Sequence, residues 1–197
     1  GAGAPVPKWV TSAGIVAGVL MLIPLLAVAI NWHLTMANAW AKALKHPVLR
    51  FMVFGGASYL LASALGILGA LRSVNHVTQL TLYGTGVTNL HLYGFLPAVL
   101  AGSIYYIVPY LTQREWPSPK LIGLHFWSAA AGAVLSSVPL ILGGVLQGRA
   151  LNDPDVPFIS TVRSTLPFVG MSTLGILLLL VANLALLTNL TQLLVAC

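Results

Sequence analysis

Five apolar stretches, each long enough to cross a lipid bilayer, decide what this chain can fold into. A crossing helix needs roughly 20 apolar residues to span a hydrocarbon core ~30 Å thick. Such stretches cover residues 9–31, 48–71, 86–111, 121–147 and 166–190. Only nine Lys/Arg and three Asp/Glu stand in 197 residues, 6% charged against 58% hydrophobic, with a mean hydropathy of +0.93. A water-soluble surface takes about 25% charge, so this surface is meant for lipid. An ionic group at the bilayer centre costs several kcal/mol. The expected fold is all-α: a polytopic membrane helix bundle of about five transmembrane helices, forming one transmembrane domain over residues 1–197.

Polar punctuation separates the stretches. Arg114, Glu115, Pro117 and Pro119 break the chain between the third and fourth, and Asp153, Pro154, Asp155 and Pro157 between the fourth and fifth. Pro24 and Pro97 fall inside stretches and read as kinks. Gly55, Gly56, Gly66, Gly69 and the run 129–132 supply the small residues that close helix packing in lipid requires. Alternating sides puts Lys42, Lys45, Arg50, Arg114 and Lys120 on the C-terminal side of the membrane, and Lys8, Arg72, Arg149 and Arg163 on the other. That bias favours a cytoplasmic C-terminus and, with five crossings, an outside N-terminus. The segment Gly1–Pro7 reads as a processed or cut end. No repeat or low-complexity segment is present.

The net charge of +6 is scattered between apolar stretches and forms no basic stripe, so nucleic acid is not an expected partner. Cys197 is the only cysteine, which excludes an internal disulfide or a cysteine-built metal cluster. No carboxylate lies inside a crossing, which leaves histidines as the intramembrane ionisable groups. His91 lies inside the third crossing and His125 inside the fourth, near opposite faces. His33 ends the first, and His46 and His76 lie in connections. A histidine in a membrane span is either a hydrogen-bonded interfacial group or a ligand, and heme iron is its common redox partner. Roughly 20 Å of helix rise separates His91 from His125, so one heme cannot be gripped by both. The aromatics around His125, and Tyr105, Tyr106 and Trp116, read as an interfacial belt.

Several ordered patterns resemble the C-terminal part, the last five helices, of subunit I of the C-family (cbb-type) heme–copper cytochrome c oxidases, which are related to nitric oxide reductases. They are Met21–Pro24 with Asn31 and Thr35; Ala39–Trp40 and Pro47–Phe51; Arg72–Asn75; Tyr105-Tyr106-x-x-Pro109; His125-Phe126-Trp127; Gly144-x-x-Gln147-Gly148; and Asn189. The resemblance covers nearly the whole chain. It implies helices eight to twelve of a twelve-helix catalytic subunit that holds a low-spin heme and a heme–copper site. The family's tenth helix carries a His-x-His pair, one ligand to each heme. Here that pair falls on Val87 and Asn89, and the ninth-helix Glu falls on Leu65. His91 lies two residues beyond the pair, about 200° around an ideal helix.

What the resemblance implies is a membrane subunit of a respiratory heme–copper oxidase-like electron-transfer complex, truncated or split and divergent at the heme ligands. His91 is its candidate axial ligand to the iron of a heme b. No copper is expected from this chain, and no catalysis from the chain alone. Other membrane subunits supply the remaining helices and heme ligands, and the location is a bacterial inner membrane. The alternatives are a non-heme paralogue with a structural or assembly role, or a small transporter or channel component.

Overall fold

The structure, a computed structural model, describes residues 7–43 and 45–195, without the side chains of Lys8 and Thr11. Cys197 and the first six residues, on which two expectations above rest, lie outside it. Every element among the described residues is a helix, and five helical units are long and apolar enough to cross a membrane. The first unit is α1 (Lys8–Leu20) with α2 (Leu22–Met36). Only Met21 interrupts it, three residues before Pro24. A proline has no N–H for the carbonyl four residues back, and its ring crowds that carbonyl, so the helical ladder is interrupted there. A short α3 (Trp40–Ala43) leads to the second crossing, α4 (Pro47–Ala70). Pro47 opens α4 at its first turn, where a missing donor costs nothing.

The third crossing is composite. After a short α5 (Arg72–Thr78), it consists of α6 (Leu82–Asn89), a π-helical turn over Leu90–Phe95, and α7 (Leu96–Thr112). Within the turn the Leu96 N–H reaches back five residues to the His91 carbonyl. Pro97 follows at once and cannot donate to its own preceding turn, so the wider winding sits where the α-ladder is already broken. The kink expected at Pro97 therefore takes the form of a π-turn. Gln113, at φ 54°, ends α7 in the left-handed region.

The fourth and fifth crossings are α8 (Pro119–Leu151) and α9 (Phe158–Val195), 33 and 38 residues long. Both run on past the apolar stretches that announced them. A helix closes its own backbone hydrogen bonds in lipid or water alike, so the end of apolarity marks the end of lipid rather than of the helix.

Small residues set how closely these helices approach. Gly132 of α8 and Gly175 of α9 face each other, and a Cβ on Gly175 would fall on the Ser136 main chain. α6 and α8 meet as closely at Gly86 and Gly144. A core of Phe51, Ala98, Ala101, Tyr105, Ile122 and Phe126 joins α4, α7 and α8 at the end where α8 begins. The first crossing is different. Among its described side chains only Leu25 is buried, and the crossing touches the rest mainly through α4, as where Trp32 lies over Gly56.

Candidate functional site

His91 is the second residue of the π-turn, and its environment follows from that winding. Asn89 and His91 point to different neighbours. Asn89 faces α8, where Nδ2 donates to the Ser136 carbonyl at 3.0 Å. His91 faces α4, where Nε2 lies 3.3 Å from the Ser63 hydroxyl and the ring meets Tyr59 edge-on, centroids 6.1 Å apart. Its Nδ1 lies 3.3 Å from the Val87 carbonyl. A carbonyl can only accept, so Nδ1 carries the ring proton and Nε2 keeps its lone pair, accepting from Ser63. A proton held on one nitrogen by a backbone carbonyl, with the other nitrogen basic, is the form in which histidine ligates metals. The ring is half-buried. That basic nitrogen is the one a metal could use, and here the Ser63 hydroxyl occupies it. A cavity of about 260 Å³ lies on the far side of Ser63 and Tyr59, between α4 and the first crossing.

The two positions that the resemblance assigned to the His-x-His pair are engaged otherwise. Val87 is buried, and its carbonyl holds His91. Asn89 belongs to a seam in which the Ser136 carbonyl accepts from both Asn89 and Ser172 Oγ, the latter at 3.0 Å, so that α6, α8 and α9 share one acceptor. Leu65, at the position of the family's Glu, gives its carbonyl to the Tyr83 hydroxyl at 2.7 Å.

His125 lies at the far end of the same bundle. Tyr105, its partner, stands about 20 Å beyond His91 along the helix axis at 1.5 Å per residue, so no single iron spans the two histidines. The Tyr105 hydroxyl is 2.9 Å from His125 Nδ1, and both side chains are buried. This is the hydroxyl's single partner among the described residues. A buried O–H that donated nowhere would be costly, so it donates to Nδ1 and the His125 ring proton sits on Nε2. Phe51 packs on both rings, and Trp116 donates Nε1–H to the Tyr105 carbonyl at 3.1 Å. Of the expected belt, Tyr105, Trp116, His125 and Phe126 are thus a knot tying α4, α7 and α8 together, while Tyr106 and Trp127 are exposed. Tyr105→Phe leaves Nδ1 unpaired in an apolar core, and the expected loss is about 1–2 kcal/mol. The midpoint of unfolding in mixed detergent micelles reads it.

His33 and His46 are exposed, His33 beside Trp40, and His76 is exposed in α5. Among the described residues no three His, Cys, Asp or Glu side chains cluster as a metal site. Sequence reasoning missed Ser63, Ser136 and Ser172. Each is a small hydroxyl on an apolar helix, and nothing local in the sequence distinguishes them from other serines.

The chain matches the family described as Cytochrome C and Quinol oxidase polypeptide I over residues 2–178. It is 30% identical over 190 residues to the cytochrome c oxidase subunit 1 homolog of Azorhizobium caulinodans, covering 93% of this chain and 34% of that protein. It is 33% identical over 162 residues to the Cbb3-type cytochrome c oxidase subunit CcoN1 of Stutzerimonas stutzeri, covering 80% of this chain and 34% of that protein. With the bacteroid cytochrome c oxidase subunit 1 homolog of Bradyrhizobium diazoefficiens the identity is 29% over 191 residues, 93% of this chain and 35% of that protein. The chain spans about a third of the length of these relatives.

Proposed function

Because this chain belongs to the cytochrome c and quinol oxidase polypeptide I family, we propose that it is a membrane subunit of a respiratory, oxidase-related electron-transfer complex. In this reading companion membrane subunits supply the remaining helices, and His91 is the residue through which this chain meets a heme b. The observation that supports it is the setting of the ring, whose Nδ1 lies 3.3 Å from the Val87 carbonyl, a contact that leaves Nε2 basic toward α4. The family's subunit binds heme, and a heme held here would supply a one-electron carrier. This chain contributes one imidazole, its orientation and the apolar helices around it. Any further ligand to the iron, and any copper ligands, would come from companion chains. The majority of the Lys/Arg at the end bearing Lys42, Lys45, Arg50, Arg114 and Lys120 favours a cytoplasmic C-terminus in a bacterial inner membrane.

The test is a pyridine hemochrome spectrum of the native complex, wild type against His91→Ala. Loss of one b-type heme per complex is expected, and an unchanged heme count sinks the ligation. Asn89 supports a second reading, a non-heme structural or assembly subunit, because its amide already serves helix packing. That reading calls for a reduced yield of assembled complex in Asn89→Leu, while heme content per complex that does assemble stays constant in both variants.

A further inference from the structure

At the end of the bundle where α4 and α8 begin and α7 ends, Arg50 occupies the first turn of α4. Its guanidinium lies 5.3 Å from the centre of the Phe126 ring. Its Nε is buried and has no hydrogen-bond partner. A charged donor taken from water and left unpaired costs free energy that an acceptor would recover. The space beside it is apolar. One cavity of about 550 Å³ is lined by Arg50, Val53, Phe54, Phe126, Trp127 and Ala130. A second, of about 490 Å³, shares Phe54 and Phe126 and continues between α7, α8 and α9. Two apolar cavities thus flank one aromatic wall, with an unpaired cationic donor at the wall's membrane-surface end.

We propose that this is a binding site for one anionic phospholipid. The phosphate accepts from Arg50, and the two acyl chains lie on either side of the Phe54–Phe126 wall. Three observations choose this occupant. The bundle has five helices of membrane-crossing length and apolarity, so acyl chains are at hand for an apolar groove on its outside. A phosphate oxygen supplies the acceptor that Arg50 Nε lacks, and guanidinium suits phosphate geometry. Lys45 and Lys120, both exposed at the same end, add positive charge near the headgroup. Basic pockets between transmembrane helices recognise anionic headgroups in this way. The site is independent of His91 and of any heme.

Trp127, on the wall of the first cavity, is a built-in reporter. The full chain is placed in phosphatidylcholine vesicles containing brominated-chain phosphatidylglycerol or brominated-chain phosphatidylcholine, and fluorescence quenching is followed, with Trp127→Phe subtracted. Half-maximal quenching is expected at about fivefold lower mole fraction of the anionic lipid, the increment of one cation near the surface. Arg50→Gln is expected to erase that preference, Arg50→Lys to keep part of it, and inorganic phosphate to leave it unmoved. Equal quenching by both lipids, an undiminished preference in Arg50→Gln, or competition by inorganic phosphate overturns the proposal. Should Arg50→Gln not fold, native mass spectrometry of the wild-type chain decides. One retained anionic phospholipid per chain is expected, and retention of none overturns the site and leaves Arg50 to a companion's carboxylate.

Discussion

Gly144→Ala is expected to cost about 3 kcal/mol of helix-bundle stability, although alanine is the better helix former by about 1 kcal/mol. The reason is where the added methyl goes. On Gly144 of α8 a Cβ would sit on the main chain of Tyr83, against its N and Cα. A flexible side chain could move aside, but a backbone cannot without separating α6 from α8. Gly123, on the same helix, is the matched control, because a Cβ there meets nothing within 4 Å. Gly123→Ala should stay within about 0.5 kcal/mol of wild type or gain. Unfolding in mixed micelles, followed by helical circular dichroism, compares the two. Equal midpoints would mean that α6 and α8 do not pack through Gly144.

Asn189→Leu is the second large loss, expected at about 2–4 kcal/mol. Asn189 is fully buried in α9 and grips the main chain of Ser118, just before α8, from both sides. Its Oδ1 accepts from the Ser118 N–H at 3.2 Å, and its Nδ2 donates to the Ser118 carbonyl at 3.3 Å. Leucine keeps the volume and abandons both groups. Ser118→Ala is the informative comparison, since it removes only the hydroxyl that caps the Leu121 N–H, worth about 1 kcal/mol. If Asn189→Leu costs no more than Ser118→Ala in the same micelle assay, the amide clamp is not formed.

The number of crossings was legible because lipid leaves so little choice: an unbroken apolar stretch of bilayer length is a physical statement about solvent. The interruption near Pro24 was legible for a similarly local reason. The lengths of α8 and α9 were not, since apolarity reports the surroundings of a helix and not its hydrogen bonding. The residues that carried the family resemblance prove instructive. Gln147 accepts the Leu82 N–H at the start of α6, Asn75 donates to the Gly69 carbonyl, and Asn189 grips Ser118. Each reaches a helix end where a backbone group would otherwise go unpaired in a poorly hydrated place. Sequence displays such a residue but not its partner. The site itself shows the same limit. His91 stood out as an ionisable group in a span, whereas Ser63, 28 residues away, and the π-turn that aims the ring at it have no sequence signature beyond Pro97.

The lengths of the last two helices bear on how the protein sits in its membrane. At 1.5 Å per residue, 33 and 38 residues rise about 50 and 57 Å, against a hydrocarbon core of ~30 Å. Such helices must lean, or lift their ends clear of the bilayer, or thicken the lipid beside them. The Gly132–Gly175 approach and the shared Ser136 acceptor bind α8 to α9, so neither can adjust its inclination alone. The pair meets hydrophobic mismatch as one stiff hairpin, and bilayer thickness becomes a variable to which the hairpin's tilt, and everything packed on α8, is mechanically tied.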